Sequence, residues 1–305
     1  MHRWSCRLSA GAGAMERAAL QAALFALTLL LSVGVLAGNA REARKQAEST
    51  MLVSGWVTIR PDGSVESHEI DRGDKLSPAI TNLIGSASTQ WRFEPIEVDG
   101  NVVKARVPMH LRLVAKPAGD GQYTVAIRSA SFGSSSSSTA PEEQWARMKA
   151  PPPEYPRTAL RMGGKGTVYL LLRVGRDGRV MDVATEQVNL TVAGTSDQMD
   201  QLRSLLSKAS ERAAKRWEFK PPTRGPDADA PNWVVRCPVA FRFIGERPAE
   251  AGEWETYVPG PRNYDIPWVM HDLRLAGSPD GFPDGALTSL GDGPRLLNPP
   301  GNDGS

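Results

Sequence analysis

Two cysteines (Cys6, Cys237) and four histidines (His2, His68, His110, His271) are the side chains of this 305-residue chain best suited to nucleophilic or metal chemistry. A structural zinc site needs Cys and His clustered a few residues apart, and a nucleophile needs a base within reach. These six residues are scattered and show neither pattern. The nearest pairing is Glu66-x-His68, inside a strand-like run, where it reads as surface decoration. Cys237 stands alone in a β-rich run and reads as a small buried hydrophobe. The sequence therefore predicts no enzyme, no metal and no cofactor.

Charge narrows the class further. Lys+Arg number 36 and Asp+Glu 34, a net of +2. A nucleic-acid binder needs a surplus of cations to neutralise phosphates, so no nucleic-acid partner is expected. The surplus itself lies in residues 1–40, where Arg3, Arg7 and Arg17 outnumber Glu16, and the remainder is neutral. Residues 18–37 form twenty positions without a charge, behind that basic flank and before the small residues Gly38 and Ala40. This pattern is a cleavable export signal or, since twenty apolar residues span a bilayer, a retained inner-membrane anchor. Met15 is an alternative start with a complete signal of its own. Either reading puts the body of the chain in the periplasm, or outside the cytoplasm more generally.

The elements come next, and they recur. Gly55 to Val65, with Asp62-Gly63, parallels Gly166 to Val180, with Asp177-Gly178. Trp91-x-Phe93-x-Pro95 parallels Trp217-x-Phe219-x-Pro221, and Val107 to Leu113 parallels Cys237 to Phe243. Asp-Gly between β-rich runs marks a hairpin, because Gly enters φ > 0 freely. Val168, Leu170, Leu172 and Val174 alternate as a strand does. Leu202, Leu205, Leu206, Ala209 and Ala213 recur at helical spacing behind a Thr195/Gln198 capping box. Residues 77–90 are the shorter helical counterpart, with Ile80, Leu83 and Ile84 on one face. Trp217 and Phe219 are expected to fill the space between helix and sheet. Tyr123, Val125 and Ile127 alternate and add a strand to the first copy.

The expected fold class is α+β: two small units, each with helices on a three-stranded or slightly larger antiparallel sheet. The boundaries are a signal or anchor at 1–40, a first unit at 51–130, a Ser-rich linker at 131–150 and a second unit at 151–245. A Pro/Gly-rich tail at 246–305 is expected to be disordered. The second unit carries +5 over residues 151–244 and the tail −6. A basic unit suits an acidic partner segment, and the acidic tail could fold back on it.

Residues 153–243 resemble the C-terminal domain of TonB, the periplasmic energy transducer of Gram-negative outer-membrane transport. The resemblance rests on Tyr155-Pro156, Ala159, Gly163, Gly166 and Val168, then Asp177-Gly178-x-Val180. It continues through Ala213, Trp217, Phe219 and Pro221 to a last strand with Val235, Cys237, Phe241 and Phe243. Residues 55–113 look like a degenerate copy without the Tyr-Pro opening. The motif residues Tyr155, Pro156, Gly163, Gly166, Asp177, Gly178, Trp217, Phe219 and Pro221 are of turn, cap and core types, and are read as mainly structural.

The resemblance implies function through backbone. An exposed strand edge pairs with a short peptide of an outer-membrane receptor, so few side chains are diagnostic. The candidate edge is the last strand, Val234 to Phe243, with Val234, Val235, Arg236, Cys237, Val239 and Phe241 as its partner-binding residues. Pro238 lacks an amide hydrogen and belongs at an edge or an irregularity. Glu255-Thr256-Tyr257-Val258 resembles the peptide such domains bind, which would make it an in-built edge strand. The family also implies an inner-membrane proton-driven motor complex as partner and allows a homodimer. Residues 18–37 lack the histidine expected of an anchor that engages the motor. The long Pro-rich spacer is missing too, and residues 115–150 extend at most ~120 Å. Two functions follow: a TonB-like envelope protein supporting energy-coupled uptake, or a periplasmic interaction module with this fold and no energy-transducing role.

Overall fold

The computed structural model describes residues 47–298, except 99, 121, 134–141, 143–144, 225–227, 271–272, 274–276 and 291–292. The predicted signal or anchor at 18–37 lies outside the described residues. No helix among the described residues is long and apolar enough to cross a membrane.

The first half of the chain builds β1 (Glu48–Ile59), β2 (Val65–Ile70), α1 (Pro78–Ser88), a small hairpin of β3 (Glu97–Val98) and β4 (Asn101–Val102), β5 (Ala105–Gly119) and β6 (Gln122–Phe132). The second half builds β7 (Ala146–Lys149), α2 (Arg157–Arg161), β8 (Gly166–Gly175), β9 (Val180–Leu190), α3 (Ser196–Ala214), β10 (Glu218–Lys220) and β11 (Asn232–Phe241). Two short strands follow, β12 (Trp254–Tyr257) and β13 (Thr288–Ser289). The architecture is α+β. One sheet runs β12-β1-β5-β6 with β2 also on β1, the other runs β13-β11-β8-β9, and β7 pairs β10. All pairings are antiparallel.

Local chemistry explains the elements. Gly63 and Gly178 take φ of 79° and 78°, and a Cβ there would lie 2.0 Å from the Phe93 carbonyl oxygen and 1.9 Å from that of Phe219. In each case the Phe amide donates to the Gly carbonyl, at 2.9 Å and 2.8 Å. Asp62 and Asp177 accept from the amides two residues on, which closes the turn before the second strand. The Thr195/Gln198 capping box forms in both directions and starts α3.

Two cores result. Ile80 and Ile84 of α1 pack with Val53, Val57, Leu111, Trp91 and Phe93. Met199, Leu202 and Leu206 of α3 pack with Val168, Leu170, Leu172, Val235, Trp217 and Phe219. The two aromatics at 217 and 219 are 4% exposed each, between helix and sheet.

The segment after Gly245 differs from the disorder that its composition predicts. Residues 254–257 add to the edge of β1, Val258 exchanges both backbone bonds with Leu190, and residues 288–289 add to β11. Ile266, Leu273 and Leu290 bury with Leu171 on the face of the second sheet opposite α3. Composition failed here because the tail's few apolar residues stand apart in sequence and are buried against sheet surfaces far away in it.

Candidate functional site

The candidate partner edge is β11, and its alternation can be worked out from one bond. The Leu290 amide donates to the Val234 carbonyl at 2.8 Å, so the backbone of Val234 faces away from β8. Period-two alternation then turns Arg236, Pro238 and Ala240 outward as well, and turns Val235, Cys237, Val239 and Phe241 toward β8. Pro238 thus points its hydrogen-free nitrogen at the outer edge, where no bond to β8 is lost. The outward backbone positions before it are Asn232, Val234 and Arg236.

The side chains of the predicted edge residues do other work. Val235, Cys237, Val239 and Phe241 are buried under α3. Cys237 is 1% exposed, and burial pushes its thiol up, so it is no ready nucleophile. Arg236 is 2% exposed and makes a two-pronged pair with Glu186 of β9, at 2.7 Å and 2.9 Å. Arg262 closes on the same carboxylate at 2.7 Å and 3.0 Å, which pins the tail across the sheet.

The edge of β11 is not bare. Val235 and Arg236 pair with Ser289 and Thr288 of β13. Leu287 and Leu290 flank that strand, both 7% exposed, one in the core beside α3 and the other in the cluster on the opposite face. Trp145 Nε1 donates to Ser289 Oγ at 2.8 Å, and Arg147 donates to the Gly285 carbonyl at 2.9 Å. Glu255-Thr256-Tyr257-Val258, whose resemblance to a bound peptide offered an in-built strand for this edge as the alternative to disorder, lies instead on β1 and against Leu190.

The motif residues sit where turns and core require. Tyr155 donates to the Gly164 carbonyl and stacks edge-on against Phe241 at 5.3 Å. Pro156 precedes the short α2, and Gly163 (φ 68°) ends it. A Cβ on Gly166 would lie 2.2 Å from the Asn189 carbonyl oxygen. Trp217 Nε1 donates to the Pro151 carbonyl at 2.9 Å, and Pro221 follows β10 at partial burial. His68, read as surface decoration, has its Nδ1 3.0 Å from Ser88 Oγ and ties β2 to α1.

A buried polar knot that sequence reasoning missed joins the two units. Arg112 of β5 donates twice to the Asp280 carbonyl, at 3.0 Å and 2.7 Å. Tyr257 donates to the Asp280 carboxylate and accepts from Asn189 of β9 at 2.6 Å. Burial first, and then the Asp280 charge, push the Tyr257 phenol well above its ordinary value, so it stays a donor. A cleft of about 380 Å³ opens beside this knot, between the units. Its charges are paired, Arg242 with Asp284 and Arg247 with Glu253, for example.

Comparison with known proteins places the second unit. Residues 151–243 match the family profile described as Gram-negative bacterial TonB protein C-terminal. Over 93 residues the chain is 32% identical to Protein tonB2 of Pseudomonas aeruginosa, covering 30% of this chain and 29% of that protein. The solution NMR structure of Pseudomonas aeruginosa TonB CTD is 23% identical, covers 34% of this chain and 90% of its own, and aligns with a TM-score of 0.20. The resemblance to the TonB C-terminal domain family read from the sequence therefore holds for residues 151–243. The chain spans less than a third of the curated relative that it matches.

Proposed function

We propose that this chain is a TonB-like cell-envelope protein whose second unit engages outer-membrane transport partners by strand addition along β11, in support of energy-coupled uptake. The observation that carries the reading is the outward backbone of Val234 and Arg236, on the last strand of a unit that matches the TonB C-terminal profile. Strand addition draws its affinity from such main-chain groups and its selectivity from the pockets alongside. The matched contacts at Gly63–Phe93 and Gly178–Phe219 support the reading of residues 55–113 as a degenerate copy. In this reading residues 18–37 hold the protein to the inner membrane, within reach of a proton-driven motor complex.

A second reading, an interaction module of this fold without energy coupling, draws on a different observation. Residues 252–263 are bonded to both units, along β1 and then along β9, and so hold the second unit against the first. Two measurements separate the readings. Photo-crosslinking from position 234 or 236 in intact cells tests for an outer-membrane receptor segment on the edge. The mature N-terminus in membrane fractions tests for the anchor. Crosslinks to a receptor together with retained residues 1–40 support the transducer. A cleaved N-terminus defeats it, because an unanchored protein cannot be pulled by an inner-membrane motor.

A further inference from the structure

The two sheets treat the same edge differently. In the first sheet, β5 has its outer edge filled by β6, an eleven-residue strand next to it in the chain. The Gly133 amide donates to the Pro108 carbonyl at 2.8 Å, so Pro108 also turns its nitrogen outward, and the pairing ends there. In the second sheet, β11 has its outer edge filled, among the described residues, by the short run 288–290, which comes from a segment more than forty residues further along. That pairing lies on the other side of its proline, because β13 engages residues before Pro238 whereas β6 engages residues after Pro108.

We infer that β13 is a built-in, displaceable occupant of the β11 edge, and that a partner segment binds by replacing it with a run of the same design. This rests on the proposed strand addition and adds to it the chemistry of the ligand. The occupant's pattern defines that chemistry. Thr288 and Leu290 turn their backbone to Arg236 and Val234, the two outward residues before the proline break that β13 engages. Leu287 drops into the core beside α3, and Leu290 into the cluster with Leu171 on the opposite face. Ser289 presents its hydroxyl to the Trp145 indole. A competitor is therefore an extended segment with apolar residues three apart and a short hydrogen-bonding residue just before the second of them. A segment lacking either apolar residue leaves a gap on one face of the sheet. It also cannot extend the ladder past Arg236 by a full set of bonds, because Pro238 offers no donor.

The test uses the full chain and a fluorescent peptide of residues 284–292. Thr288→Pro removes the amide that faces Arg236 and so vacates the edge. The vacated chain is expected to bind the peptide at least about tenfold more tightly than the wild type. A peptide with both leucines replaced by serine is expected to lose that binding. Amide exchange supplies an independent readout: Val234 and Arg236 lose protection in the variant, while Val235 and Cys237, bonded to β8, keep theirs. Equal peptide affinity for wild type and variant overturns the inference, as does undiminished binding of the serine peptide. If Thr288→Pro fails to fold, Leu290→Ser weakens the anchor and leaves the backbone able to pair, and the same comparison applies. The peptide contains no receptor sequence. A positive result with no receptor crosslink in cells would thus keep the occupant and remove the proposed transport role.

Discussion

His110 offers a prediction whose size can be worked from the structure. It lies on β5, largely buried, with Nδ1 3.1 Å from Ser54 Oγ and its ring 5.7 Å from that of Phe282. Burial pulls its imidazolium from the ordinary 6.5 down to about 4, and the Asp71 charge recovers only part of that. The folded chain therefore holds this histidine neutral while the unfolded chain protonates it near pH 6.5. As pH falls the unfolded state binds the proton first, so stability is complete above pH 6.5 and is lost progressively as pH falls toward 4. Linkage gives a loss of about 1.4 kcal/mol by pH 5.5 and about 3 kcal/mol by pH 4. The assay is urea unfolding of the wild type and His110→Gln at half-unit steps from pH 7.5 to 4. Carboxylates titrate alike in both chains, so the difference between the curves isolates the imidazole. The variant should lose less stability than the wild type over this interval, by that amount. Parallel curves, or an NMR titration of the His110 ring with its midpoint at 6 or above, would refute the burial argument.

Three further outcomes are expected. Gly178→Ala places a methyl against the Phe219 carbonyl at a left-handed φ and should cost about 2 kcal/mol or more, with Gly63→Ala losing a similar amount, both measured by chemical denaturation. Glu186→Gln strands the buried Arg236 and Arg262 without a counter-charge and should cost about 3–5 kcal/mol, whereas Arg262→Met leaves the Arg236 pair intact and should cost less, about 1–3 kcal/mol. Thr195→Ala removes the hydroxyl that caps α3 and should lower stability by about 1 kcal/mol, with the loss of amide protection confined to the first turn.

The legible parts of the fold were those encoded by neighbours in sequence. The Asp-Gly turns, the Thr195/Gln198 box and the 3.6-residue recurrence of Leu202, Leu206 and Ala213 each act within a few residues, and each forms. Tyr123, Val125 and Ile127 announced β6 by alternation alone, since a hairpin partner lay just upstream in β5. The tail was illegible for the opposite reason. Tyr257, Ile266, Leu273, Leu287 and Leu290 show no shared period, because distant surfaces of the folded units bury them: Ile266, Leu273 and Leu290 lie on one face of the second sheet, Leu287 on the other, and Tyr257 in the polar knot. Arg112 with Asp280 illustrates the same limit for polar groups, since 168 residues separate them and neither carries a local signature.

The charge pattern changes meaning for the same reason. A basic second unit beside an acidic tail reads in sequence as a docking surface waiting for an acidic partner. In the folded chain part of that surface is already engaged: Lys165 with Glu246 and Arg242 with Asp284, both drawing their acid from the tail. The deepest contact inverts the expected polarity, because Arg262 of the acidic tail enters a buried site on Glu186 of the basic unit. Exposed pairs contribute little and weaken with salt, while a buried, two-pronged carboxylate does neither. Salt should therefore loosen the rim of the tail and leave its hold on the sheet, and a partner that competes for β11 has to win through backbone pairing and the two leucine sites, not through net charge.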